Sequence, residues 1–476
     1  MTMTVAAPTA GRTVRVRLTY LVVGLAGFVT TLDNTVVTVA VPTIRTDLGA
    51  SLVSLEWVVT GYILTFSGLM LAGGRLADVY GRRLVLVAGL SIFTLASLLA
   101  GLAGSVEALI GARLAQGAGA ALILPALLAI VSVGRDERER STGVAVWMAA
   151  GAAALALGPV AGGYISQHWS WNWIFLLNVP LGLVVVALTV AAVPESRDPS
   201  ASRVDLPGLC SSVVALTAGT FALTRGADLG WTSPWIAVCA VTCVAGAVTF
   251  VLVERAAETD RRAEPMVDLD LFRARAFTGG VIAQVLWGLG VNGVFFFTAL
   301  FLQGVLGFTP TESGFAFVPL AVLVVLVTPL APWLSSRFGA GRTVAAGLVL
   351  VAAGMVAVAF LRPGDGWASL LPSVAAIGVG SALTMPLGSA VLGAVPDSRA
   401  GVAGGVFSVA REMSGLFGIA AVGVIVNGAA GFASGYTAGL LAAAALVLLG
   451  AGVSAATLPG GHPGLRDTAA APGVRT

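Results

Sequence analysis

Apolar runs of about twenty residues, the length an α-helix needs to cross the hydrocarbon of a bilayer, recur along this chain with short polar or Gly/Pro-containing breaks between them. Fourteen such spans are predicted, at 18–40, 52–72, 84–104, 107–131, 141–165, 173–193, 206–224, 234–253, 277–303, 313–335, 343–361, 367–392, 402–427 and 437–457. Little chain is left for a soluble domain. The first span follows Arg12, Arg15 and Arg17 as a signal peptide would, but its apolar stretch is too long and no small-residue cleavage site follows, so it reads as a retained helix.

Composition turns this pattern into a class: an all-α polytopic membrane protein. Of 476 residues, 57% are hydrophobic and 10% charged, whereas a soluble globular chain carries about 25% charged residues. The chain has no lysine, and with the amino terminus in the cytoplasm 21 of its 26 arginines fall in the tails and even-numbered connections. Arg45, Arg225 and Arg362 fall on the other side, and Arg113 and Arg411 lie within spans. By the positive-inside rule both termini are expected in the cytoplasm, with the chain threaded many times through the cytoplasmic (inner) membrane. Trp57, Trp169, Trp171, Trp231, Trp235 and Trp367 then gather at the outer interface, where amphipathic rings settle. The net charge of +3 is thereby an effect of orientation and points to no nucleic-acid partner.

Other chemistry is sparse. Cys210, Cys239 and Cys243 lie in spans seven and eight without accompanying His, which favours apolar packing over metal binding. Residues 288–293, GLGVNG, match a dinucleotide fingerprint by letter only, since no strand precedes them. His168 and His462 are the two histidines, both predicted outside the spans, and no phosphate loop or metalloprotease motif occurs. No enzymatic activity, metal or organic cofactor is expected.

Charges inside spans are costly, about 2.5–3.5 kcal/mol on insertion scales, and are retained where they face a partner or a watery cavity. Asp33 stands in LDNTVVTVAVP, 32–42, in an otherwise apolar span. Arg113 stands in RLAQGAGAALILP, 113–125, about two turns from the expected outer end of its span. It is near enough to snorkel, while Gln116, Gly117 and Gly119 favour a close-packed interior face. Arg411 and Glu412 are adjacent in span thirteen, where successive residues point about 100° apart. One is expected to line the central space and the other to meet a neighbouring helix; a purely structural pair is the alternative.

Four stretches carry a resemblance. Between spans two and three, GRLADVYGRR places Gly74 and Gly81 as expected turn residues around Asp78, with Arg82 and Arg83 following. This resembles the signature loop of the major facilitator superfamily. Arg113 with Gln116, Gly117 and Gly119 is similar to that superfamily's fourth-helix motif, which implies a part in proton coupling. In span five, Gly158 and Gly162 stand four apart, a spacing that lets backbones approach, and Pro159 removes a backbone hydrogen bond. With Gly151 and Gly163 they form G-x-x-x-x-x-x-G-P-x-x-G-G, which resembles the antiporter motif of proton-driven exporters and implies a gate. WSWNWIFLLNVPLG, 169–182, is similar to a segment of fourteen-helix drug exporters, with Asn172 in place of their usual Arg.

An internal repeat gives the organisation. A shift of 258 positions lays LADVYGRR, 76–83, on LSSRFGAG, 334–341, bringing Gly81 onto Gly339, Gly143 onto Gly401 and Asn34 onto Asn292. The expected domains are a six-helix half at 1–200, two additional helices at 201–258, and a second half with a cytoplasmic tail at 259–476. The polar break PESRDPSASRVD, 194–205, ends the first half, and the 254–276 connection is expected to form a surface helix.

The resemblance implies the major facilitator fold, with a substrate site near the midplane between parallel halves. It also implies a proton-coupled antiporter, acting as a monomer in the lipid bilayer, that exports drugs, antibiotics or related small amphipathic compounds by alternating access. The proton gradient would be its energy source. Asp33 would bind the coupled proton and Arg113 would modulate it, since burial favours a neutral acid and a nearby guanidinium the carboxylate. Asp78 and the loop arginines would latch the cytoplasmic side. Asn34, Gln116, Trp287, Asn292, Phe296, Arg411 and Glu412 are the candidates for the substrate cavity. Proton-coupled uptake, or export of a specific metabolite or lipid-like compound, is the alternative, and the Gly158–Pro159 motif argues against uptake. A membrane sensor would carry a soluble signalling domain.

Overall fold

The computed structural model describes residues 10–132, 137–198, 205–259, 267, 269–396 and 399–459. Fourteen helical spans are long and apolar enough to cross a membrane, and every predicted span corresponds to one of them. They are α1 (Val14–Leu48), α2 (Leu52–Tyr80), α3 (Arg82–Gly101), α4 (Val106–Ser132), α5 (Arg138–His168), α6 (Trp173–Ala192) and α7 (Leu206–Gly226). Then follow α8 (Pro234–Ala256), α9 (Arg275–Gly304), α10 (Pro310–Phe338), α11 (Ala340–Ala359), α12 (Trp367–Leu392), α13 (Gly401–Gly428) and α14 (Phe432–Thr457).

The helices start and stop where local chemistry directs. Ser51 caps α2 by accepting the Ser54 amide at 3.1 Å, and Asp205 caps the helix of α7 through the Gly208 amide. Thr309 and Glu312 form a reciprocal capping box at the start of α10, with Pro310 at its first position. Gly81, between α2 and α3, has φ 117°, and Gly339, between α10 and α11, has φ 92°. Both values lie where a Cβ is disfavoured, so the repeat alignment pairs two turns that need glycine for the same reason. Gly74 differs from expectation: it lies within α2, which runs on to Tyr80, and it packs toward Pro125 of α4 instead of making a turn.

Helix pairing repeats between the halves. In the first, α5 packs on α1, α4 on α2 and α3, and α6 on α3; in the second, α13 packs on α9, α12 on α10 and α11, and α14 on α11. The additional α7 leans on α2 of one half and α13 of the other, with α8 packed against α7. Small residues set the close approaches. A Cβ on Gly73 would collide with the Ala121 carbonyl, and one on Gly117 with the Tyr62 carbonyl, so α2 and α4 meet backbone to backbone. In the 254–276 connection the expected surface helix is reduced to a 3-10 turn at Leu269–Arg273, because the helix of α8 itself continues to Thr259; residues 260–266 and 268 lie outside the described residues. The 200/201 boundary, His462 and the tail beyond 459 also lie outside them.

The two ends of the bundle differ in arginine content, and three hydrogen bonds join the halves toward the Arg-poor end. Asn427 Nδ2 of α13 donates to Glu56 Oε1 of α2 at 3.0 Å. Gln303 Nε2 of α9 donates to the Val39 carbonyl of α1 at 3.1 Å. The Thr311 amide of α10 donates to Gln167 Oε1 of α5 at 3.0 Å. These bonds hold the two halves together at this end.

Candidate functional site

Asp33 and Arg113, 80 positions apart in sequence, meet in the interior: Arg113 Nη1 lies 2.5 Å from Asp33 Oδ2. The residues are 1% and 0% exposed, so the snorkelling alternative for Arg113 is corrected. Its Nε donates to the Val58 carbonyl of α2 at 3.0 Å, and its guanidinium lies 4.4 Å from the centroid of the Tyr62 ring. Fixed by α2 on one side, the guanidinium presents one edge to Asp33.

The second carboxylate oxygen is held by two amides. Gln116 Nε2 and Asn178 Nδ2 each donate to Asp33 Oδ1 at 2.7 Å, and Gln116 also donates to Ser97 Oγ at 2.8 Å and accepts from Arg113 Nη1 at 2.7 Å. Five polar side chains from α1, α3, α4 and α6 thus form one network that contains one negative and one positive charge. Hydrogen bonds to an ionised group inside a low-dielectric interior are strong, and the arrangement satisfies the ionised acid. One guanidinium nitrogen, Arg113 Nη2, finds no protein partner, a donor left over for a different arrangement of the same groups.

Gln116 is therefore part of the Asp33 network and fully buried, a correction to its expected place on the substrate cavity. Phe296 is corrected likewise. It is closed into the core against Phe297, while Trp287, Val291 and Phe295, spaced four apart, form the half-buried face of α9. Asn292 is half-buried and lies against Gly415 of α13. Asn34, beside Asp33, is half-buried on α1. Arg411 and Glu412 do not split between two surroundings as expected. The long arginine side chain folds over so that Nε and Nη2 donate to Glu412 Oε1 at 3.1 and 2.9 Å, with the Arg411 side chain 47% exposed.

The span-five motif packs directly behind the site. Gly158 faces Thr35, and a Cβ on Gly162 would lie 2.5 Å from the Val36 carbonyl, so α5 rests on the stretch of α1 just past Asp33. Gly163 and Pro159 point the opposite way: a Cβ on Gly163 would collide with the Pro310 carbonyl, and one on Gly314 with the Pro159 carbonyl. This α5 surface joins the acid-bearing helix to the second half. Gly163→Leu is expected to wedge the Arg-poor end apart, raising the reaction rate of a cysteine placed at the buried Ser313 with an impermeant thiol reagent several-fold. An unchanged rate would show that α10 does not move with this contact.

The loop after α2 is tied within its own half. Arg82 Nη2 bonds Asp78 Oδ1 at 2.9 Å. The Arg83 and Leu84 amides donate to Glu195 at 3.0 and 3.1 Å, placing a carboxylate on the N-terminus of α3. The backbone is paired as well, Arg82 N to Ser196 O at 2.8 Å and Asp198 N to Asp78 O at 2.9 Å. The loop is thus bonded to the segment after α6 in this conformation.

Sequence reasoning passed over Asn178, Ser97, Tyr62, Glu56 and Glu195. Glu56 was within reach of the rule that singled out Asp33, since it stands four residues into the second predicted span. Asn178, Ser97 and Tyr62 carry no charge to mark them, and only the fold brings them to the site.

Comparison with known proteins places the chain. The Major Facilitator Superfamily pattern matches residues 23–419. The Multidrug resistance protein Stp of Mycobacterium tuberculosis (strain CDC 1551 / Oshkosh) is 35% identical over 411 residues, 86% of this chain and 75% of that protein. The Methylenomycin A resistance protein of Streptomyces coelicolor is 35% identical over 434 residues, 90% of each. The Cephamycin export protein CmcT of Amycolatopsis lactamdurans is 35% identical over 401 residues, 83% and 82% of the two chains. Among solved structures, the peptide-transporter-family protein PepTSo superposes with a TM-score of 0.70 at 14% identity, covering 94% of this chain and 98% of that one. A mutant of the nucleoside transporter NupG gives 0.66 at 14% identity, covering 92% and 99%; at these identities the likeness is one of fold. The chain belongs to the major facilitator superfamily and is a multi-pass membrane transport protein, not an enzyme.

Proposed function

We propose that this transporter exports drugs, antibiotics or related small amphipathic compounds across the cytoplasmic membrane in exchange for protons, by alternating access. Relatives named for multidrug resistance, methylenomycin A resistance and cephamycin export support the substrate class. The observation that carries the proton coupling is the buried pair Asp33–Arg113. In the conformation described, the guanidinium pairs with the carboxylate, and withdrawing it would leave a buried charge without its partner. A movement of α4 against α1 that parts the two would therefore couple the proton of the acid to the change of access. A membrane potential adds about 2.3 kcal/mol per charge per 100 mV, enough to bias such a cycle.

With the Arg-rich end in the cytoplasm, the Arg-poor end faces outward and both termini lie inside. The unit is a monomer of two halves, 1–200 and 259–476, with 201–258 supplying α7 and α8 as a support that touches both. The gate is α5, whose Gly158–Gly163 surface touches α1 and α10 together. Trp287, Asn292 and Phe295 of α9, with Asn34 of α1 and the Arg411–Glu412 pair of α13, line the substrate path. Asp78, Arg82 and Arg83 hold the loop ready to engage the second half in the opposite conformation.

The test is accumulation of a panel of toxic compounds in cells expressing or lacking the chain, with and without a protonophore. At least one compound should accumulate several-fold less in expressing cells, and the protonophore should erase the difference. Equal accumulation across the panel, or efflux indifferent to the protonophore, would contradict the proposal.

A further inference from the structure

Glu56 is a further carboxylate inside the spans, and the Asp33 network does not use it. It lies one turn into α2 at the Arg-poor end and is fully buried. Its Oε1 accepts from Asn427 Nδ2 of α13 at 3.0 Å, across the boundary between the halves. Its Oε2 is buried and finds no protein partner. A Cβ on Gly423, one turn before Asn427, would stand 2.7 Å from both carboxyl oxygens. The carboxyl group is thus pressed flat on the bare backbone of the facing helix.

The charged groups on the elements around α2 leave it without a cation. From the helix of α7, Asp228 bears on Glu56 as a like charge, and it is itself 3.4 Å from Arg225. On α4, Arg113 is engaged with Asp33, and Glu107 is exposed at the helix start. On α1, Asp33 is bound in its network and Asp47 accepts from the Trp171 indole. The charges of α3, Arg82 and Arg83, lie at its far end. On α13, Arg411 and Glu412 pair with each other roughly 20 Å further along the helix at 1.5 Å per residue. An ionised carboxylate with a neutral amide on one oxygen and nothing on the other is a poor occupant of such a place, whereas a neutral acid leaves only a hydroxyl short of a partner.

We propose that Glu56 is a second proton site, separate from Asp33, that locks the Arg-poor end shut when protonated and releases it when ionised. Its part in a transport cycle rests on the reading of the chain as proton-driven, but the lock itself does not. Glu56 is reached by water only when α2 and α13 part, so it takes its proton from the solution at that end and returns it there. It gates without carrying protons across: acid at the Arg-poor end favours closure.

The test uses the full chain in lipid nanodiscs, with Cys210, Cys239 and Cys243 replaced by alanine and spin labels on Leu52→Cys and Ala430→Cys, at the outer ends of α2 and α13. The short label distance should dominate at low pH and give way to a longer one as pH rises. Glu56→Gln, which keeps the shape of the neutral acid, should stay short at every pH. Asn427→Leu, which removes the hydrogen bond, should shrink the short population at every pH and serves as a second variant if Glu56→Gln assembles poorly. Asp33→Asn should titrate like the parent. A parent distance that ignores pH, or a Glu56→Gln variant that titrates like the parent, would overturn the proposal. Undiminished gradient-driven transport in Asp33→Asn would instead remove proton drive from Asp33 and leave the lock standing.

Discussion

Asp33→Asn is expected to abolish efflux driven by a pH gradient, reducing transport of a confirmed substrate to the level of membranes without the protein. Asparagine matches the carboxyl group in shape, and its carbonyl oxygen can accept from the Gln116 and Asn178 amides as Asp33 does, while its own amide nitrogen, a donor, replaces the oxygen that accepts from Arg113. It cannot take up or release a proton, so the coupling step is lost while most packing is kept. Transport in membrane vesicles with an imposed pH gradient, normalised to the amount of inserted protein, measures the effect. Undiminished gradient-dependent transport would remove Asp33 from the coupling.

Arg113→Leu is expected to cost about 3–5 kcal/mol of stability, because removing one partner of a buried ion pair leaves the other charge uncompensated. The uncompensated group would be Asp33, enclosed with only Gln116 and Asn178 as donors. Combining Arg113→Leu with Asp33→Asn should restore a large part of the loss, since a buried pair replaced on both sides by neutral groups is often close to neutral in stability. Thermal unfolding in detergent of the parent, the two single variants and the double variant closes a cycle that isolates the coupling. A double variant no more stable than Arg113→Leu alone would show that the two charges do not stabilise each other.

The spans were legible in the sequence because bilayer thickness fixes the length of an apolar run, and each of the fourteen recurs in the structure within a few residues at most of its ends. The exceptions have physical reasons. α1 continues through Pro42 to Leu48, and α2 continues through Gly74 to Tyr80. Polar residues and glycine are compatible with a helix that has already formed, so hydropathy loses the end before the backbone does. Gly81 and Gly339 confirm the repeat through backbone conformation. Gly143 and Gly401 do so less well: the first packs tightly against Val131, and the second has open space where a Cβ would stand.

The site was legible where it carried charge and illegible where it carried only hydrogen bonds. Asp33 and Arg113 stood out because a charge in an apolar run needs a partner. Asn178 and Ser97 serve the same carboxylate, directly or through Gln116, yet each is an unremarkable polar residue in its own segment. The loop after α2 shows the converse: Asp78 and Arg82 were marked by the motif, but the loop's connection to Glu195 and 196–198 depends on how the chain returns after α6.

The central claim is that substrate and proton move in opposite directions through this protein under the control of Asp33. Purified protein in liposomes that enclose a pH-sensitive dye tests it most directly: an outward substrate gradient is imposed with no initial pH difference, and internal pH is recorded. Substrate efflux through the parent should acidify the interior, and Asp33→Asn should abolish that acidification. Substrate efflux through the parent with no change of internal pH, or the same acidification in Asp33→Asn, would contradict the account.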